Sequence, residues 1–286
     1  MPYAPIDREE AETIVYKTAA GQELVAALFR PTKKVEKSPA FLYIHGGGWA
    51  GGHRWEPLVQ YELIGALRDL GVTLITVEYR RTRDGIHFPT PVHDCVDYVR
   101  FFWKNAEIYG LDRAHFFLGG ASAGGHLSQM VAFAQDFFGE VEELKNVRYR
   151  IAGIVDLCGP VDLRAKNVVR GQEESDGCLV NLVGSDPATR DELLRQASPA
   201  TYFPRLPDDE LMPIIAVQGT EDELVHYTQP TILQKYWDAK NVPFELLYVK
   251  NGSHAFQQVE GFPPPEPDYS GIQQRELAFI QTYILK

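Results

Sequence analysis

The chain has 286 residues, 44% of them hydrophobic and 23% charged, with a formal net charge of −11. That length can bury one sizeable core, and the composition is that of an ordinary globular protein. The acidic balance argues against nucleic acid and anionic membrane surfaces as partners, and no apolar run approaches the length of a membrane span. The polar N-terminus has no apolar signal-peptide core, which predicts a cytoplasmic protein. Cys95, Cys158 and Cys178 lack metal-ligand spacing and read as reduced thiols rather than as a disulfide framework.

Residues 13–17 and 24–30 alternate around Ala20-Gly21-Gln22, which predicts an antiparallel hairpin. Residues 41–44 read as a strand running into His45-Gly46-Gly47-Gly48-Trp49. A helix is expected over 58–70, with Leu63, Ile64, Leu67 and Leu70 at helical spacing. A strand over 72–79 and a long amphipathic helix over 92–109 follow, the helix closed by Gly110. A strand at 115–118 leads into Gly120-Ala121-Ser122-Ala123-Gly124 and a helix to 133. Strands at 151–157, 214–218 and 244–249, a helix over 229–240 and a closing helix over 273–285 complete the pattern. Strands alternating with helices after a hairpin imply a mostly parallel α/β sheet covered on both faces. A single domain over 1–286 is expected. Residues 160–211 interrupt the alternation for longer than a plain connection should, and read as a cap-like insertion.

Open parallel sheets bind ligands beyond the carboxyl ends of their strands. The segments at Gly46, Gly120, Glu221 and Gly252 all follow inferred strands, so four distant stretches converge on one sheet edge. Ser122 lies on a Gly-x-Ser-x-Gly turn between strand and helix, where small neighbours let a strained backbone expose the hydroxyl. A serine hydroxyl needs a base, and the base needs an orienting acid. Of the histidines after Ser122, His126 is one helical turn on and should point away. His254, in the small-residue turn 251–256, is the stronger candidate and His226 the weaker. Glu221, Asp222 and Glu223 compete for the acid. The glycine triplet offers backbone amides unshielded by side chains, as acyl transfer requires where charge develops on a carbonyl oxygen. His45 reads as a structural hydrogen-bonder of that loop. Trp49 either lines the substrate pocket or anchors the loop. Asp94 reads as a helix-start carboxylate and Asp162 as a turn former. No His-Glu-x-x-His or phosphate-cradling glycine motif is present, so neither metal nor cofactor is expected.

Four stretches carry a family resemblance: His45-Gly46-Gly47-Gly48-Trp49, Gly-Ala-Ser-Ala-Gly-Gly over 120–125, Gly219-Thr220-Glu221-Asp222, and Gly252-Ser253-His254. Val77-Glu78-Tyr79-Arg80, Phe88-Pro89 and Asp94-Cys95 agree. Together they resemble the α/β-hydrolase esterases, specifically the hormone-sensitive-lipase-like group and the related carbohydrate and feruloyl esterases, from about residue 13 to 285. Arg81-Thr82-Arg83-Asp84 departs from that group's usual Leu-Ala-Pro-Glu, which bears on the subfamily rather than the fold. The resemblance implies an eight-stranded, mostly parallel α/β-hydrolase sheet with a partial cap. It places the triad on Ser122, Asp222 and His254, and the oxyanion hole on the N–H groups of Gly47, Gly48 and Ala123. The expected activity is a serine carboxylic ester hydrolase taking a small-molecule ester, with short acyl groups and acetyl or feruloyl esters of plant carbohydrates as candidates. An amidase, arylformamidase or peptidase is the alternative, and a silent ligand-binding protein the third. Oligomeric state, a homodimer included, is left open.

Overall fold

The computed structural model describes residues 3–83, 85–165, 168–169, 172–173 and 177–286. Asp84 and parts of the 160–211 stretch (166–167, 170–171 and 174–176) lie outside the described residues.

Strands β1 (Glu12–Ala19) and β2 (Gln22–Phe29) form the expected hairpin, and β2 runs antiparallel to β4 (Thr73–Val77). From there every pairing is parallel. The strands are β3 (Ser38–Ile44), β5 (Leu111–Ala121), β6 (Gly153–Leu157), β9 (Ile214–Gly219) and β10 (Phe244–Val249). The eight strands run in the order β1-β2-β4-β3-β5-β6-β9-β10. The short β7 (Val168–Val169) and β8 (Gln172–Glu173) pair apart from the sheet.

Two apolar layers hold the sheet. On one face, α2 (Thr90–Lys104), α4 (Ala123–Phe133) and α7 (Pro230–Lys240) pack with Leu42, Ile44 and Leu118. On the other, α1 (Tyr61–Asp69) and α8 (Tyr269–Tyr283) pack with Phe41, Tyr43 and Phe117. Residues one apart in β3 and in β5 therefore serve opposite layers, as the two-residue period of a doubly covered strand requires.

Two helices have bounds that differ from those expected. The helix expected over 58–70 begins as a 3-10 turn, Glu56–Val59, and continues as α1. The one expected over 92–109 breaks at Asn105 and resumes as the short α3 (Ala106–Tyr109), ending at Gly110 with φ of 69°. Asp94 is not a helix-start carboxylate. It lies fully buried inside α2, where it takes the Lys17 ammonium at 2.7 Å and the Arg80 guanidinium at 2.6 Å. Within 160–211, α5 (Gly177–Val183) and α6 (Arg190–Ala197) are joined by turns. Among the described residues no helix is long and apolar enough to cross a membrane.

Candidate active site

The Gly-x-Ser-x-Gly turn joins β5 to α4 with Ser122 at φ 55° and ψ −120°, a conformation that costs an L-residue energy and marks a functional constraint. Gly124 is required by close approach: a Cβ there would run into the Ile44 carbonyl of the neighbouring strand. The turn is tied to the sheet by the Ser122 N–H, which donates to the Leu157 carbonyl at 2.7 Å.

The glycine loop leaves β3 beside it. Gly47 and Gly48 adopt φ of 104° and 57°, and a Cβ on Gly47 would collide with the Gly51 backbone. Among the described residues their N–H groups make no backbone hydrogen bond, and Ala123, in the first turn of α4, has no intrahelical acceptor. His45 shapes the loop as expected. Its Nδ1 meets the Gly46 carbonyl at 2.8 Å, its ring stacks on Tyr79, and burial holds it down to about 4. Trp49 is anchored: its indole N–H donates to His126 Nδ1 at 3.1 Å. It also borders a smaller cavity of about 140 Å³ that reaches Ser122. His126 is buried against Trp49 and the Ala197 carbonyl, which occupies both its ring nitrogens.

Asp222 follows β9 and His254 follows β10. The His254 Nδ1–H donates to both Asp222 carboxylate oxygens, at 2.9 and 2.8 Å. A carboxylate only accepts, so the proton is on Nδ1 and Nε2 is left with a lone pair. Asp222 is held by three further donors: Gln218 Nε2 at 2.7 Å, and the N–H groups of Leu224 and Val225 at 2.9 and 2.8 Å. Burial opposes charge on His254, but the Cys158 thiol and the Asp222 carboxylate outweigh it and raise the imidazole above its ordinary 6.5. Burial pushes the Cys158 thiol up as well, so it is neutral at neutral pH and Asp222 is the standing cause.

Ser122, His254, Gly47 and Gly48 line one cleft of about 860 Å³. Among the described residues the Ser122 hydroxyl makes no hydrogen bond to the imidazole; such contacts tighten when substrate binds. The weaker candidates fall elsewhere. His226 bonds Thr228 Oγ1 at 2.7 Å. Glu223, a competitor for the acid, instead accepts from the His254 backbone N–H at 3.1 Å.

Three contributors were not read from the sequence. Glu56 takes the Gly46 N–H on both oxygens, at 2.9 and 3.0 Å, and so pins the glycine loop. Cys158, at φ 47°, donates to the His254 carbonyl at 3.4 Å. Its Sγ and one ligand atom each of Asp222 and His254 lie within 4.8 Å of one another. A metal would find donors there, but Asp222 and His254 are already bonded to each other. Cys178, from the 160–211 stretch, lies against Gly48 and lines the cleft. The only signal for Glu56 was its place shortly after the glycine triplet.

The family model described as BD-FAE matches residues 27–237. The chain belongs to the BD-FAE family. That places it among the α/β-hydrolase esterases, and the matched stretch holds Ser122 and Asp222 but ends before His254. The chain is 32% identical over 119 residues to the ethyl acetate hydrolase of Pseudomonas putida, covering 40% of this chain and 36% of that protein. It is 22% identical over 233 residues to esterase LipC of Mycobacterium tuberculosis, covering 81% and 55%. Its match spans roughly a third of the length of the first curated relatives, at 35%, 31% and 28%. Among solved structures, a truncated carbohydrate esterase from gut microbiota superposes with a TM-score of 0.77 at 19% identity, covering 99% of each chain. The shared fold is the α/β-hydrolase fold.

Proposed function

We propose that the chain is a serine carboxylic ester hydrolase acting on short acyl esters, acetylated or feruloylated carbohydrates among them. The observation that carries this reading is one cleft in which a strained serine, an imidazole oriented by a buried carboxylate, and free glycine amides converge. Ser122 Oγ attacks the ester carbonyl and His254 Nε2 takes its proton. The N–H groups of Gly47, Gly48 and Ala123 receive the developing oxyanion. His254 then protonates the leaving alcohol, water enters, and the same base returns the acid and free Ser122. Asp222 keeps the Nδ1–H tautomer throughout. The name of the Pseudomonas relative specifies an acetyl ester and that of the structural neighbour a carbohydrate ester, which supports small acyl groups on alcohols or sugars.

Ser122→Ala should lower kcat/KM for p-nitrophenyl acetate by roughly four to six orders of magnitude. Turnover near that of the unaltered protein would remove Ser122 from the reaction.

A further inference from the structure

Two spaces open at Ser122, and they differ in size and in what borders them. The cleft of about 860 Å³ holds His254 and the turn that follows it, Ala255, Phe256 and Gln257. The cavity of about 140 Å³ is bordered by Trp49, Leu163, Leu179 and Val225, and His254 is not among its described lining residues. The described residues common to both are Gly48, Ser122, Cys178 and Leu224. The two spaces therefore meet at the nucleophile and the glycine loop.

The smaller space is left apolar because its polar side chains are already engaged. The Trp49 indole N–H is given to His126. Gln229 Oε1 accepts the Val161 and Asp162 N–H groups, and its Nε2 donates to the Asp162 carbonyl. The Asp162 carboxylate takes the Arg164 guanidinium at 3.0 Å on each oxygen. What remains to meet a ligand is hydrocarbon, chiefly from Leu163, Leu179 and Val225, and such a wall favours an alkyl chain.

The reaction decides which part of an ester enters which space. The acyl carbon is bonded to Ser122 Oγ in the acyl-enzyme, and the alcohol oxygen must lie within reach of His254 to take its proton. The alcohol therefore leaves through the space that holds His254, and the acyl group occupies the one that does not. We infer that the cavity between Trp49, Leu163, Leu179 and Val225 is the acyl pocket and limits the acyl chain to a few carbons, whereas the large cleft receives a bulky alcohol. This rests on the esterase reading above. If a methylene needs what a water takes up in the liquid, roughly 30 Å³, the cavity holds about four or five carbons beyond the carbonyl. A cavity of about 150 Å³ takes up benzene, so a feruloyl group, a ring extended by a propenoyl arm and a methoxyl, exceeds this one. Of the carbohydrate esters named above, the acetylated ones fit.

Two substrate series test the two sides separately. With p-nitrophenol fixed as the alcohol, the butanoate should exceed the octanoate by about 10-fold or more in kcat/KM. With acetate fixed as the acyl group, 4-biphenylyl acetate should be turned over at least as fast as phenyl acetate, whose phenol is of similar acidity. Leu163→Ala or Leu179→Ala should raise the octanoate-to-butanoate ratio by about 10-fold and leave the biphenylyl-to-phenyl ratio where it was. Each readout is a ratio within one preparation, so partial misfolding of a variant cancels. Should neither variant fold, the two series on the unaltered enzyme still decide. Octanoate turned over as well as butanoate, biphenylyl acetate falling well behind phenyl acetate, or a chain-length ratio unmoved by both substitutions would overturn the assignment. Failure of the unaltered enzyme to hydrolyse p-nitrophenyl acetate would instead sink the esterase reading, and the pocket assignment with it.

Discussion

Two regions of this molecule set carboxylates against basic side chains, and only one of them is built for chemistry. In the first, the Lys17 ammonium meets Asp94 at 2.7 Å, Asp97 at 2.8 Å and Glu140 at 3.0 Å, and Arg80 braces Asp94 and Glu140 at 2.6 Å each. An ammonium has three protons, and here three carboxylates take them. In the second, Asp222 is as buried as Asp94, but its partner is an imidazole with one nitrogen engaged and the other left over in a cleft. Burial and pairing are common to both. What separates them is free capacity at the basic group: the Lys17 ammonium has a carboxylate for each of its protons, whereas His254 can still accept a proton from outside.

The largest expected effect tests the second region. Asp222→Asn should lower kcat/KM by roughly 10⁴-fold, since an amide no longer enforces the Nδ1–H tautomer. Only neutral imidazole can act as base, and His254 is raised above 6.5. Activity should therefore fall as pH drops through a midpoint above 6.5, and Asp222→Asn should move that midpoint down. A midpoint at or below 6.5, unmoved by the substitution, would contradict the pairing.

The reverse outcome is expected of the first region. Asp94→Ala removes a fully buried partner shared by Lys17 and Arg80 and should cost about 3 kcal/mol in urea unfolding, while the fraction that folds keeps a kcat/KM near that of the parent. Equal stability with crippled turnover would erase the distinction between the regions.

A smaller effect follows from Glu276, which is fully buried in α8. Burial raises its carboxyl from the ordinary 4.5 to about 8, so its contribution to stability is complete below 4.5 and is lost as pH rises through 8. Across that window it should remove on the order of 1 kcal/mol of stability per pH unit. Burial raises Asp156 to about 7, which adds a slope of the same sign. Urea melts at pH 5, 6.5 and 8 should show the decline, shallower in Glu276→Gln; an unchanged slope would refute its assignment to Glu276. The smallest effect is expected at Trp49. Trp49→Phe removes its hydrogen bond to buried His126 and should lower stability by about 1 kcal/mol, read as a modest drop in Tm.

Much of the fold was legible because its signals are local. Each strand of the main sheet lies near its expected place, and the elbow and the glycine loop could be read at single-residue scale because only glycine tolerates the contacts at Gly47 and Gly124. Lys17 and Asp94 could not be read that way. Each sits in an amphipathic element where a charge normally faces solvent, and their burial is decided by partners 77 positions apart. Glu56 and Cys158 were missed for a related reason. Neither belongs to a motif, and each matters only because a separate segment folds against it, the glycine loop in one case and the turn after β10 in the other.

Alternation of apolar runs, the order of the glycine and serine turns, and the position of an acid and a histidine after successive strands were determined by the sequence alone, since backbone preference and hydrophobic period act over a few residues. Which carboxylate reaches the imidazole, and whether the Trp49 indole is anchored in the core, were decided by the tertiary structure. Those outcomes depend on distances between side chains that lie far apart along the chain and meet only when the sheet has brought its strand ends together.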